Sequence, residues 1–242
     1  MIPVSRYENK SKWKKFGRRS ALKTKSAKLS IFQTFKTKTH QLTGEAIRQR
    51  NIITHLAQTN NSKSMTRTAI AQSIAAKNGL LWKNIYSGVF RDMDEILIPL
   101  DIVIEAGRLP LKRGPKALQE KGIPFYKLTK SGLLVALSID ELENKKLVLD
   151  KFLSNPEINE KEFVDVIKML IKVSPKFTHL IFEIYVNAYC DGNLKSLLPI
   201  SISEFYRISK NTFAVQKELL EGFHKLSKSS RVDVLKLFSK FT

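Results

Sequence analysis

Asp92, Asp94 and Glu95 within one helical turn, four histidines and a single thiol are what this chain offers for catalysis or metal binding. The histidines, at positions 40, 55, 179 and 224, are scattered and form no metal-ligand cluster. Cys190 alone leaves no partner for a disulfide within the chain and no Cys-rich zinc site. The three acids could hold a cation, but carboxylates one turn apart more often form a solvated helix face. Gly107, Gly114 and Gly122 have the spacing of turns, not of a phosphate-cradling loop. No paired carboxylates and no Ser-His-Asp set are present. The reading is a protein without catalytic residues, metal or cofactor.

The chemistry that remains is ionic and hydrogen-bonding, directed at phosphates and base edges. On a helix near residue 90, Asn84, Ser87, Gly88 and Arg91 share the outward side and Phe90 lies beside them. Arg91 can bond a base edge or phosphate bidentately, and Gly88 would let backbone approach closely. The competing reading pairs Arg91 with Glu95, four residues on, as a surface ion pair. A protruding ribbon carries Lys112, Arg113 and Lys116 near its tip, and Lys127 and Lys130 follow on its return. An N-terminal arm adds Lys12, Lys14, Lys15, Arg18 and Arg19.

Composition agrees with that chemistry. The 242 residues hold 42 Lys and Arg against 22 Asp and Glu, a net charge of +20. Such an excess points to nucleic acid as a partner, and after it to an anionic membrane surface. The charge is graded. Residues 1–40 carry 12 basic side chains and one acid, residues 41–140 carry 14 and 8, and residues 141–242 carry 16 and 13. Low hydropathy and self-repulsion predict a disordered arm over residues 1–40, with Trp13, Phe16, Phe32 and Phe35 interspersed. No apolar run is long enough to span a membrane, and the N-terminus lacks the apolar core of a secretory signal. A cytoplasmic protein is expected.

The elements that must position these residues follow from periodicity. Thr43 caps a helix with Ala46, Ile47, Ile53 and Leu56 on its apolar face. Ser64 or Thr66 caps a second, which ends before Gly79. A third runs over about 81–98 with Ile85, Val89, Met93, Ile96 and Leu100 as its buried stripe, and Pro99 ends or kinks it. Residues 102–106 alternate like a short strand or helix end, closed by Gly107. Leu109 and Leu111 begin a ribbon that returns through Phe125, Tyr126 and Leu128, and Thr129 caps a helix over Leu133–Leu137.

Helix, helix, helix, ribbon, helix is the order of a winged helix-turn-helix. Two stretches sharpen it. GIPFYKLTKSGLLVAL (residues 122–137) resembles the closing wing strand of archaeal winged helix-turn-helix DNA-binding regulators, with Tyr126, Leu128, Thr129 and Gly132 matching their Tyr-x-Leu-Thr-x-x-Gly signature. YSGVFRDMDEIL (residues 86–97) is similar to the recognition helix of that family. The resemblance covers roughly residues 42–140. It implies a duplex-DNA-binding regulator whose third helix reads the major groove while the ribbon contacts the backbone.

Residues 141–242 resemble no family. They read as helices over 141–153, 160–171, 176–190, 203–223 and 229–241, with Phe163, Val166, Ile167 and Leu170 on one stripe and Phe177, Leu180, Ile181, Ile184 and Tyr185 on another. The overall expectation is a mainly α protein with a small β-ribbon. Its parts are a basic arm (1–40), a winged helix-turn-helix domain (41–140) and a C-terminal helical domain (141–242) available for homodimerisation or partner binding. The alternative function is a nucleoprotein adaptor that binds protein through its helices and nucleic acid without sequence preference.

Overall fold

The computed structural model describes residues 27–110, 122–154, 161–200 and 202–240. Those residues are mainly helical, with one two-stranded antiparallel sheet among them.

Three helices come first: α1 (Gly44–Gln58), α2 (Arg67–Lys77) and α3 (Trp82–Asp92). Thr43 and Thr66 cap α1 and α2 by accepting from the N–H groups of Ala46 and Ala69. Each bond satisfies one of the orphan donors of a first turn. Gly79, at φ +63°, turns the chain between α2 and α3, a conformation that favours glycine.

The third helix differs from its expected course. After Asp92 it widens into a π-turn over Met93–Leu97, where the Ile98 N–H donates to the Met93 carbonyl five residues back. The extra residue rotates everything beyond it. Leu97, four residues after Met93 and eight after Val89, lies in the core, and Ile96, which the expected stripe used, is only half-buried.

A ribbon follows, made of β1 (Val103–Leu109) and β2 (Ile123–Leu128), paired from Val103 with Leu128 to Leu109 with Ile123. β1 runs straight through Gly107 instead of closing there. Gly107 forms a bulge, and a Cβ at this position would lie 2.9 Å from the Phe125 ring. Thr66 adds an isolated antiparallel bridge to Phe125, so the chain entering α2 lies along the ribbon.

Thr129 joins the ribbon to α4 (Lys130–Leu137). Its Oγ1 accepts from the Gly132 N–H, capping α4, and donates to the Asp101 carbonyl. Gly132 sits where a Cβ would come 2.1 Å from the Ile102 carbonyl oxygen, so no larger residue fits.

Further helices follow among the described residues: α5 (Lys145–Leu153), α6 (Lys161–Val173), α7 (Pro175–Cys190), α8 (Ile202–Lys225) and α9 (Lys228–Phe238). α7 packs on α4 and α6, with the Phe152 and Phe182 rings edge to face between α5 and α7. Phe177 and Tyr185 of α7 meet Phe213 and Phe205 of α8. Buried side chains form one contiguous cluster from Leu29 to Ile200.

The last part of the expected arm is anchored. Leu29 and Ile31 are fully buried. The Ser30 N–H donates to Gln49 Oε1 at 2.9 Å, Arg50 Nη1 donates to the Ile31 carbonyl, and the Arg50 guanidinium lies over the Phe32 ring. This strap explains why α1 buries Gln49 and Arg50 while Ile47 faces solvent. Irregular backbone on a core needs side-chain partners for its N–H and C=O groups, and α1 supplies them. The charge pattern placed the arm's end at residue 40; the packed chain begins at least 11 residues earlier. Lys12, Lys14, Lys15, Arg18 and Arg19 lie outside the described residues.

Candidate nucleic-acid interface

The outward side of α3 carries Lys83, Asn84, Ser87 and Arg91, all exposed. Its other sides are fixed by three contacts. Asp92, with a fully buried side chain, accepts from Arg48 of α1 in a bidentate pair, Nη2 to Oδ1 at 3.0 Å and Nε to Oδ2. Burial pushes the Asp92 carboxyl above its ordinary range, and the Arg48 hydrogen bond and charge oppose that push. Arg67, the first residue of α2, pairs with Asp94. Its guanidinium lies between the Phe90 ring at 4.9 Å and the Tyr126 ring at 5.0 Å. One cation thus ties α2, α3 and β2 together. Along α3 itself, the Trp82 and Tyr86 rings meet edge to face at 5.4 Å and the Tyr86 and Phe90 rings pack tilted at 4.3 Å.

These contacts distribute the expected site residues. Asn84 and Ser87 stand on the exposed face, one turn apart. Gly88 does not face outward. It lies under Arg48, where a Cβ would meet the guanidine stem at 2.9–3.1 Å. Phe90 is half-buried as a platform for Arg67. Arg91 is 52% exposed and lies 3.9 Å from Glu45 of α1 and 3.6 Å from Asp92, so its ionic neighbours are these acids and not Glu95. Lys127 is exposed on β2 and Lys130 half-buried at the start of α4. Lys112, Arg113 and Lys116 lie outside the described residues.

Lys83 was not singled out in the sequence, although its spacing gave the signal: Lys83, Ser87 and Arg91 are successive i, i+4 positions. The roles of Arg48 and Arg67 had no local signal, since their partners are 44 and 27 residues away. An apolar feature was also missed. Leu80 and Leu81, at the α2–α3 turn, are 52% and 73% exposed.

Elsewhere the titratable groups offer little chemistry. Among the described residues no group of His, Cys, Asp or Glu is placed to hold a metal ion. Burial pushes the Cys190 thiol up to about 12, so it is a neutral packed group at physiological pH. Burial likewise holds the His179 imidazole below its ordinary value, with the Lys145 charge acting in the same direction. Among the described residues no helix is long and apolar enough to cross a membrane. The chain matches no known family model, no curated protein and no solved structure.

Proposed function

We propose that this chain is a duplex-DNA-binding protein, a transcriptional regulator of the winged helix-turn-helix kind, in which α3 enters the major groove and the ribbon follows the backbone. The observation that carries the reading is the exposed row Lys83, Asn84, Ser87 and Arg91 on a helix braced from behind and standing beside a two-stranded ribbon. A braced helix fits the ~12 Å width of the major groove, and short amides and hydroxyls bond base edges there. The Thr66–Phe125 bridge and the three-helix, ribbon, helix order support the same architecture. The Arg91–Glu45 approach is long and exposed, worth little in water, so Arg91 is free to exchange Glu45 for a phosphate or base. The net charge of +20 supplies the attraction that brings phosphates to this face.

The runner-up is an adaptor in a nucleoprotein assembly that binds nucleic acid without reading sequence. Exposed Leu80 and Leu81 favour it, because apolar side chains at the entrance to α3 suit a protein surface better than a sugar-phosphate backbone.

Selection from random duplex DNA near physiological salt separates the two. A reader enriches one motif, preferred roughly a thousandfold or more over random duplex, and loses that preference in an Asn84→Ala, Ser87→Glu variant. Uniform recovery without a motif rejects sequence reading and leaves the adaptor.

A further inference from the structure

α1, α2, α4 and α9 each begin on a threonine or serine whose side-chain oxygen accepts from a first-turn N–H: Thr43, Thr66, Thr129 and Ser227. α3 does not. Its N-cap is Leu81, which makes no side-chain cap bond. Leucine ranks among the poorest residues at this position, so α3 forgoes the bond that anchors its neighbours. Leu81 gains no burial in exchange, because it and Leu80 before it are both more than half exposed. A local rule broken without a compensating gain inside the fold points to a contact outside it.

Charge says which end of α3 meets a polyanion. From Ala46 to Arg91 the sequence carries seven Lys and Arg and no Asp or Glu. Lys77 and Lys83, both exposed, flank the two leucines. The exposed acids Asp94 and Glu95 follow the opposite end of the helix. The Leu81 end also holds the positive pole of the helix dipole. A duplex therefore approaches α3 from the Leu81 end, and in helix-turn-helix proteins it is the N-terminal residues of the recognition helix that contact base edges.

We propose that Leu81 fixes one base of the target by covering the C5-methyl group of a thymine, with Leu80 beside it shielding the contact from water. The inference rests on the reading of α3 as the helix that enters the major groove. Thymine is the one base that presents an apolar group there, among hydrogen-bonding edges. The exposed side of α3 has the matching order: two leucines at its start, then Lys83, Asn84, Ser87 and Arg91. Leucines that suit a sugar-phosphate backbone poorly thus have a place on the floor of the groove.

The test uses the full chain and the duplex recovered by selection. Replacing its thymines one at a time by deoxyuridine removes the methyl and keeps every hydrogen-bonding group. In fluorescence anisotropy at fixed salt, one thymine, next to the bases whose preference Asn84→Ala removes, is expected to lose about fourfold in affinity, the effect of one buried CH₂-sized group. Leu81→Ser is expected to bind the thymine duplex about fourfold more weakly and to bind both duplexes equally. Serine also supplies the missing cap, so this variant should melt about 2–4 °C above wild type, which separates lost discrimination from lost folding. A motif in which every thymine tolerates deoxyuridine overturns the inference, leaves DNA reading by α3 standing and gives the leucines to a protein partner. A methyl dependence that Leu81→Ser retains overturns it too, because another side chain then reads the methyl. Selection that returns no motif overturns the proposed function and this inference with it.

Discussion

Asp92 is the residue on which the candidate reading face depends. Its carboxylate has no access to water and one strong partner, Arg48, which itself is partly exposed. Removing one member of such a pair costs more than the pair contributes, because the other is left charged and unpaired in a poor solvent. Arg48→Met keeps the stem that packs over Gly88 and removes only the charge. It is expected to cost about 3 kcal/mol at neutral pH. The pH dependence has a definite sign. Burial already raises the Asp92 carboxyl above its unfolded value, and loss of Arg48 removes the main opposition. A folded-state value above the unfolded one means stability that is fully present below the unfolded value and lost as pH rises through the folded value. The deficit of the variant relative to wild type therefore shrinks as pH falls from neutral into the acid range and the buried carboxyl takes up a proton. Urea unfolding of both proteins across that range measures it, and taking the difference cancels the titrations they share. A deficit independent of pH would mean that Arg48 acts through packing alone. No sequence pattern revealed this pair, since the partners belong to different helices and the Gly88 between them reads as an outward glycine until Arg48 is placed over it.

At the scale of elements, the junction between ribbon and α4 is the tightest piece of the fold. Glycine in a helix usually costs up to about 1 kcal/mol relative to alanine, so Gly132→Ala should stabilise α4 on propensity alone. Space decides otherwise. The added carbon would fall 2.1 Å from a backbone oxygen, and backbone carbonyls cannot swing away as side chains do. Overpacking of this kind costs about 3 kcal/mol, which exceeds the propensity gain. Gly132→Ala is expected to lower the melting temperature by about 5–10 °C, given about 2–4 °C per kcal/mol at this chain length. A calorimetric midpoint at or above wild type would contradict it. This junction was legible in the sequence, because capping and turn chemistry are local: Thr43, Thr66 and Thr129 each cap the helix expected of them. What was not legible depends on distant contacts. The π-turn at Met93–Leu97 leaves no mark on the apolar spacing: steps of four from Val89 reach Met93 and Leu97, both buried, whereas the step of three taken to Ile96 reaches a half-buried side chain. β1 similarly passes through Gly107, because the glycine makes room for the Phe125 ring, which comes 18 residues later in the chain.

For the whole molecule, the question is how much binding belongs to the basic N-terminus and how much to the folded body. A truncation answers it only if it respects where packing begins. Residues 1–26 hold nine Lys and Arg and one acid, and they precede the strap. The strap itself places Leu29 and Ile31 in the core and is tied to Gln49 and Arg50. A cut at residue 40, where the charge pattern alone would put it, removes two fully buried side chains and leaves the Gln49 amide oxygen without its buried donor, so lost folding would pass for lost binding. A cut at residue 26 keeps every described core residue, and its melting temperature is expected to match wild type within a degree or two. Each phosphate released from a basic side chain flattens the log–log plot of affinity against salt by about 0.9, so five or six contacts from the segment predict a slope shallower by roughly five units. Sequence preference, which resides on α3 in the proposed function, should be unchanged, because removing nonspecific phosphate contacts weakens all sites about equally. Fluorescence anisotropy with one duplex across a salt series, run on both chains, measures the slope. An equal slope in the two would place the phosphate contacts entirely on the folded body.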